Sequence, residues 1–267
     1  MIRGVETLRR TVREAARDQL TGEAAKTAYY LFLSLFPIIL IAFALTGMLG
    51  GHAAFEVLAN RLEQAAPPEA AAYLERFIRD VTGSRRPDIL SFGIVFSLWT
   101  GSNVFVALTQ GLNRMFDVRE GRPWWKRRAM AVGLLLAAVV LLAGGALILL
   151  AGDRLGAMMG LGGVWLVLRY PLAYLMLTAL MFLAYTFLPN RDQRGALRPI
   201  VAGAVAGTAL WFAATIGFHL YISHFGSYGR TYGFVGAAII LLLWFFITAF
   251  SILFGGELAA VLNGRTS

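Results

Sequence analysis

The chain has 267 residues, 58% of them hydrophobic and only 15% charged. A soluble domain carries about 25% charged residues, and the mean hydropathy of +0.66 points the same way, to a membrane protein rather than a globular enzyme. There is no cysteine, which excludes a disulfide framework, a cysteine–zinc site and a thiol nucleophile, and the formal net charge of +9 is accounted for by basic residues kept on the cytoplasmic side of a membrane.

Residues 1–26 place Ile2, Val5, Leu8, Val12 and Ala16 at helical spacing, with Arg3, Arg9, Arg10, Arg13 and Arg17 between them. This predicts a cytoplasmic amphipathic helix. It could lie on the anionic leaflet or sit solvated against the loops. The first long apolar run begins near Thr27, after this charged segment, and is too long for a signal peptide, so it reads as a retained helix. Pro37 falls inside it as a packing kink or a hinge.

Residues 52–88 form the longest polar stretch and predict two short amphipathic helices on the outer surface. The next apolar segment contains Asn103 and Gln110, seven residues apart and therefore near one face. Such groups face protein or a cavity rather than lipid. Interhelical hydrogen bonding and a substrate path are both open for Asn103. Arg114–Arg128 is a short basic loop with Trp124 and Trp125 at head-group level. Gly152, Gly156 and Gly160 suit either a close-packing edge or an outer turn. Arg169, near an outer helix end, either snorkels outward or faces an internal cavity. Gly203 and Gly207 form a small-residue pair suited to close helix contact. His219 and His224 are five residues apart, which does not match one helical face, so no metal site is expected.

These segments give an all-α polytopic membrane protein. The expected transmembrane domain covers residues 27–263, with six spans at about 27–51, 89–113, 129–151, 164–188, 199–221 and 233–256. Sixteen Lys and Arg side chains fall on one side of that arrangement and eight on the other. This places both termini in the cytoplasm.

The last span is the most informative. It opens on Tyr228 and Arg230, carries no charge from Thr231 to Gly256, and closes on Gly255-Gly256-Glu257. Its 26 uncharged residues span roughly 39 Å, more than the ~30 Å bilayer core. Glu257 therefore either reaches the cytoplasmic head groups or is held against protein by a helix that the two glycines admit. In the second case it needs a partner, for which Arg114 is the candidate.

Several motifs coincide along the chain: Ala28-Tyr-Tyr-Leu-Phe-Leu-Ser-Leu-Phe-Pro37, Asn113-Arg-Met-Phe-Asp-Val-Arg-Glu-Gly-Arg122, Leu188-Pro-Asn190, the Gly203 helix, Tyr228-x-x-x-Tyr232-Gly233 and Gly255-Gly-Glu-Leu258. Together they resemble the YihY/BrkB family of bacterial inner-membrane proteins. The resemblance implies six membrane helices and an inner-membrane location. Some relatives carry a virulence label and others an old ribonuclease label, and movement of lipid-like substrates has been proposed among them. The expected function is transport or flipping of a lipid-like or other envelope substrate. An envelope scaffold is the alternative and a tRNA-processing ribonuclease the least favoured reading. No cofactor, metal or nucleic acid is expected. The expected partner is the bilayer, with anionic head groups at the basic cytoplasmic face.

Overall fold

The computed structural model describes residues 2–49, 87–150, 160, 162–190, 196–224 and 228–264, with side chains over 5–35, 95–142, 144, 145, 148, 160, 164, 165, 167–190, 196–222, 236 and 238–264. The regular structure there is helical throughout: α1 (Ile2–Arg17), α2 (Leu20–Leu49), α3 (Pro87–Met115), α4 (Trp124–Leu150), α5 (Gly162–Phe187), α6 (Leu197–His224) and α7 (Tyr228–Leu262). Apart from Pro87 and Asp88, which open α3, the expected outer helices of 52–88 lie outside the described residues, as do Gly152 and Gly156. Gly160 stands in a turn with φ +68, a backbone conformation that favours glycine.

Among the described residues, three segments are long and apolar enough to cross a membrane: Val167–Phe187, Leu197–Ile222 and Ala238–Leu262. Each helix from α2 to α7 packs on the next in sequence, and α7 returns to α2, so six helices close a ring. α7 also touches α3 across the ring, and α1 lies against α7 and α2. At the end where α3 and α5 finish, the interior is filled by Leu112, Met115, Tyr185, Leu188, Ile200 and Leu253, all buried. Their large side chains interlock, as in any close-packed core.

The expectation of one amphipathic helix through residue 26 is corrected by a break at Asp18-Gln19. The Asp18 N–H completes α1 on the Glu14 carbonyl, Gln19 turns into the left-handed region at φ 55, and its carbonyl receives the Gly22 and Glu23 N–H groups that begin α2. The two helices can thus run in different directions.

α1 presents an unusual face to its neighbours. Thr11, Glu14, Ala15 and Asp18 are buried, whereas Val5, Leu8 and Val12 are 67%, 54% and 55% exposed. The polar and small residues face protein and the apolar stripe faces outward. In water this would be the wrong way round; against lipid it is the favourable orientation.

Candidate functional site

The polar residues gather where the α3–α4 loop meets the end of α5. α3 stops because Asp117 adopts φ 52, with the Val118 N–H on the Asn113 carbonyl (2.9 Å) and the Asp117 N–H on Arg114 (3.0 Å). This is the paired-bond C-cap that satisfies the last helical carbonyls. α5 is ended by Pro189, which cannot continue a helix. Its last carbonyls need donors. Arg122 supplies them: Nη1 donates to Phe187 O (3.2 Å) and Nη2 to Leu188 O (2.6 Å).

The same guanidinium grips Glu120 as a fork, with Nε on Oε1 and Nη2 on Oε2, both 2.8 Å. Asn113 joins the parts: its Nδ2 donates to Glu120 Oε2 (2.9 Å) and its Oδ1 accepts the Asn190 N–H (2.7 Å). Asn190 Nδ2 returns a bond to the Arg119 carbonyl (2.8 Å). Two motifs 77 residues apart thus form one knot. The hydrogen bonds from Arg122 hold the Glu120 carboxyl at about 2, against an ordinary value of 4.5. The stabilisation is full above about pH 4.5 and is lost as pH falls through about 2.

Beside the knot lies an open pocket of ≈ 610 Å³, bordered by Asp18, Gln110, Asn113, Arg114, Asp117, Val118, Arg119 and Glu120. Arg114 is held at its rim by Glu23 (3.4 Å) and Gln19 Oε1 (3.3 Å). Glu23 also pairs with Lys26, which in turn donates to Gln110 Oε1 (3.1 Å). Arg114 thus meets the carboxylate of Glu23, on α2. Arg114 ties the α1–α2 turn to α3. Neither Asn103, Arg169 nor Glu257 borders this pocket.

Glu257 is fully buried, which decides against a carboxylate that simply reaches the head groups. It stands one turn beyond Leu253, on the same face of α7. A Cβ built on Gly111 would meet both Leu253 (2.8 Å) and Glu23 Cβ (3.5 Å), so this face of α7 looks toward α2 and α3.

The glycines before Glu257 allow that burial. A Cβ on Gly203 would lie 2.4 Å from the Gly255 carbonyl oxygen, and one on Gly255 would lie 2.7 Å from Gly203 O and 2.9 Å from Gly207 Cα. α6 and α7 thus touch backbone to backbone. A Cβ on Gly256 would meet Leu112 at 2.4 Å. Tyr185 wedges beside this contact and donates its hydroxyl to the Ile252 carbonyl at 2.6 Å.

Asn103 is bound by Arg128, whose Nη1 donates to Asn103 Oδ1 (2.9 Å). Arg169 donates Nη2 to the Tyr170 hydroxyl (3.3 Å) and lies over that ring at 5.1 Å. Pro37 falls within α2, and Tyr228, Tyr232 and Gly233 open α7; their surroundings lie outside the described side chains. Tyr185, Glu120 and Arg128 join these residues without having stood out among the candidates in the sequence. Tyr185 left no signal, because a tyrosine four residues before a helix-ending proline is unremarkable. Arg128 did: a basic residue one turn inside a long apolar helix requires a local partner.

These features describe a class, the helical membrane proteins, here with six long helices closed in a ring and polar side chains knotted at one end. The family described as Virulence factor BrkB matches residues 11–267, and the chain belongs to it. It is similar to "Putative ribonuclease-like protein YfkH" of Bacillus subtilis (strain 168), 32% identical over 252 residues that cover 91% of this chain and 90% of that protein. A "UPF0761 membrane protein" of Aeromonas salmonicida (strain A449) is 29% identical over 252 residues, covering 92% and 85%. Another of that name, from Tolumonas auensis (strain DSM 9187 / NBRC 110442 / TA 4), is 27% identical over 259 residues, covering 94% and 83%. No solved structure matches the chain.

Proposed function

We propose that this chain spans the bacterial inner membrane six times, with both termini cytoplasmic, and transports or flips a lipid-like or other envelope substrate. The observation that carries the reading is Glu257, a carboxylate with no exposure near the end of a long apolar helix. A buried ionisable group in a membrane helix is costly and is retained for function or for tight coupling between helices.

α2, α3 and α4, at 30, 29 and 27 residues, support six spans by length. The outward Val5, Leu8 and Val12 of α1, with exposed Arg9, Arg13 and Arg17 beside them, suit an anionic cytoplasmic leaflet. We do not read the chain as a ribonuclease. The Arg122 fork holds the Glu120 carboxyl far below its ordinary value, which makes it a poor base, and among the described residues no three His, Asp or Glu side chains are grouped so as to hold a metal ion. A non-catalytic envelope scaffold is the second reading, favoured by the filled interior at the Tyr185 end.

Two experiments test the proposal. Purified protein in vesicles containing a nitrobenzoxadiazole-labelled phospholipid should speed the loss of inner-leaflet label to external dithionite. Glu257→Gln should slow this severalfold and lower the unfolding temperature by about 5 °C, whereas Glu63→Gln should do neither. Vesicles that behave as if empty would leave the scaffold reading. In cells, Gln64→Cys and Ser227→Cys should react with an impermeant thiol reagent and Gly121→Cys should not; the reverse pattern overturns the topology.

A further inference from the structure

We propose that the seam between α3 and α4 binds the phosphate of a phospholipid head group below the membrane surface, on Arg128; the inference rests on the lipid-like substrate proposed above. Arg128 is in the second turn of α4. Its Nη1 donates to Trp99 O (3.3 Å), Ser102 Oγ (2.7 Å) and Asn103 Oδ1 (2.9 Å), and its guanidinium carbon lies 3.9 Å from the centre of the Trp99 ring. Ser102 spends its own proton on the Trp99 carbonyl (2.8 Å), so its oxygen is fixed as an acceptor for Arg128.

The direction of this side chain is unexpected. Gly101 of α3 faces Leu135 of α4, where an added Cβ would meet the leucine at 3.1 Å. Arg128 precedes Leu135 by seven residues, about 10 Å of helix. By reaching Trp99, Ser102 and Asn103 it extends along α4 away from Trp124 and Trp125, which are 64% and 60% exposed at the helix start. A basic side chain near a membrane helix end ordinarily turns outward to the head groups. This one is held pointing inward.

All its partners are neutral, and among the described residues it pairs with no carboxylate. No carboxylate of the described residues therefore compensates the positive charge, at a depth where that is costly. The three bonds converge on Nη1, so the Nε–Nη2 edge remains for a bidentate anion, and Trp99 is 49% exposed on the open side of the seam. A guanidinium edge matches a phosphodiester in charge and in fork geometry. A residue that merely stapled α3 to α4 would need only Nη1. Ser102 and Asn103 act as positioning residues that aim the fork.

The test is native mass spectrometry of the full detergent-solubilised chain with dioleoylphosphatidylglycerol. Wild type should retain one lipid that Arg128→Gln weakens tenfold or more and Arg128→Lys weakens severalfold. Trp99→Leu, which leaves the Nη1 bonds in place, should also weaken it severalfold, while Arg198→Gln, at an exposed arginine on α6, should not. Dioleoylglycerol, with the same chains and no phosphate, should give no such adduct. Equal lipid retention by Arg128→Gln or by Trp99→Leu overturns the site. Displacement of the lipid by equimolar inorganic phosphate overturns it as a lipid site. The vesicle assay separates this from the parent reading: Arg128-dependent binding without lipid movement keeps the site and sinks transport, and equal movement by wild type and Arg128→Gln does the opposite.

Discussion

Replacing Gly203 by leucine is expected to abolish recovery of folded, monodisperse protein. The position has no room for any side chain: even a Cβ would sit 2.4 Å from Gly255 O, 2.7 Å from Ala259 Cβ and 3.1 Å from Ala259 N. Two of those atoms are backbone and the third is fixed to it, so no rotamer change relieves the contact. The helices must separate, which strips packing from Tyr185, Leu253 and Ile200 and exposes the carbonyl–hydroxyl bond of Ile252 and Tyr185. Overpacking of a close-packed core costs about 1–3 kcal/mol for modest insertions, and a leucine against backbone exceeds that. Gly203→Ala should fold but unfold roughly 5–10 °C lower. Gly217→Leu is the control, since a Cβ there meets nothing within 4 Å. If Gly203→Leu elutes and melts like wild type, the backbone contact of α6 and α7 is wrong.

The second large effect is at Arg122. Arg122→Met keeps the length of the side chain and removes its bonds to Glu120 and to the Phe187 and Leu188 carbonyls. It leaves Glu120, only 20% exposed, without its cation, and uncaps the end of α5. Hydrogen bonds to charged groups contribute about 1.5–3 kcal/mol each and less where the groups are partly exposed, so a total loss on the order of 3 kcal/mol is expected. Thermal unfolding in detergent should fall by roughly 5–10 °C. Glu120 should return toward its ordinary value of 4.5, so the loss of stability that wild type shows from about pH 4.5 downward should flatten in the variant. Arg17→Met is the comparison: that side chain is 68% exposed and 3.9 Å from Glu14, and its loss should be silent. An Arg122→Met protein with wild-type melting at neutral pH and an unchanged acid limb would show that the knot contributes nothing.

Much of this architecture was legible in the chain because the bilayer imposes one period and one length. Uncharged runs located the long helices, and small residues at four-residue spacing marked the α6 surface that meets α7. The glycines ahead of Glu257 correctly implied a close neighbour, since only a missing Cβ lets two backbones meet. The site was less legible. Partner choice depends on which helix ends meet, and nothing in the spacing of Glu23 and Arg114, on different helices, announced that they would pair. The face of α1 was open for a related reason. Hydrophobic periodicity shows that a stripe exists; whether it turns to protein or to lipid depends on what the opposite face can bury, here Thr11, Glu14 and Asp18.

The contact of Gly203 with Gly255 has a kinematic consequence. Two helices joined through backbone atoms cannot slide or roll past one another, because there are no side chains between them to change rotamer. Tyr185 adds a pin from α5 to α7 at the same level. These contacts tie α6 to α7 at this end of the ring. α4 meets its neighbour through a flexible side chain instead: Gly144 is covered by the terminal methyl of Met176, 3.0 Å from an added Cβ. Two kinds of contact thus hold the bundle together: backbone on backbone between α6 and α7, and side chain on glycine at α4, the helix that carries Arg128.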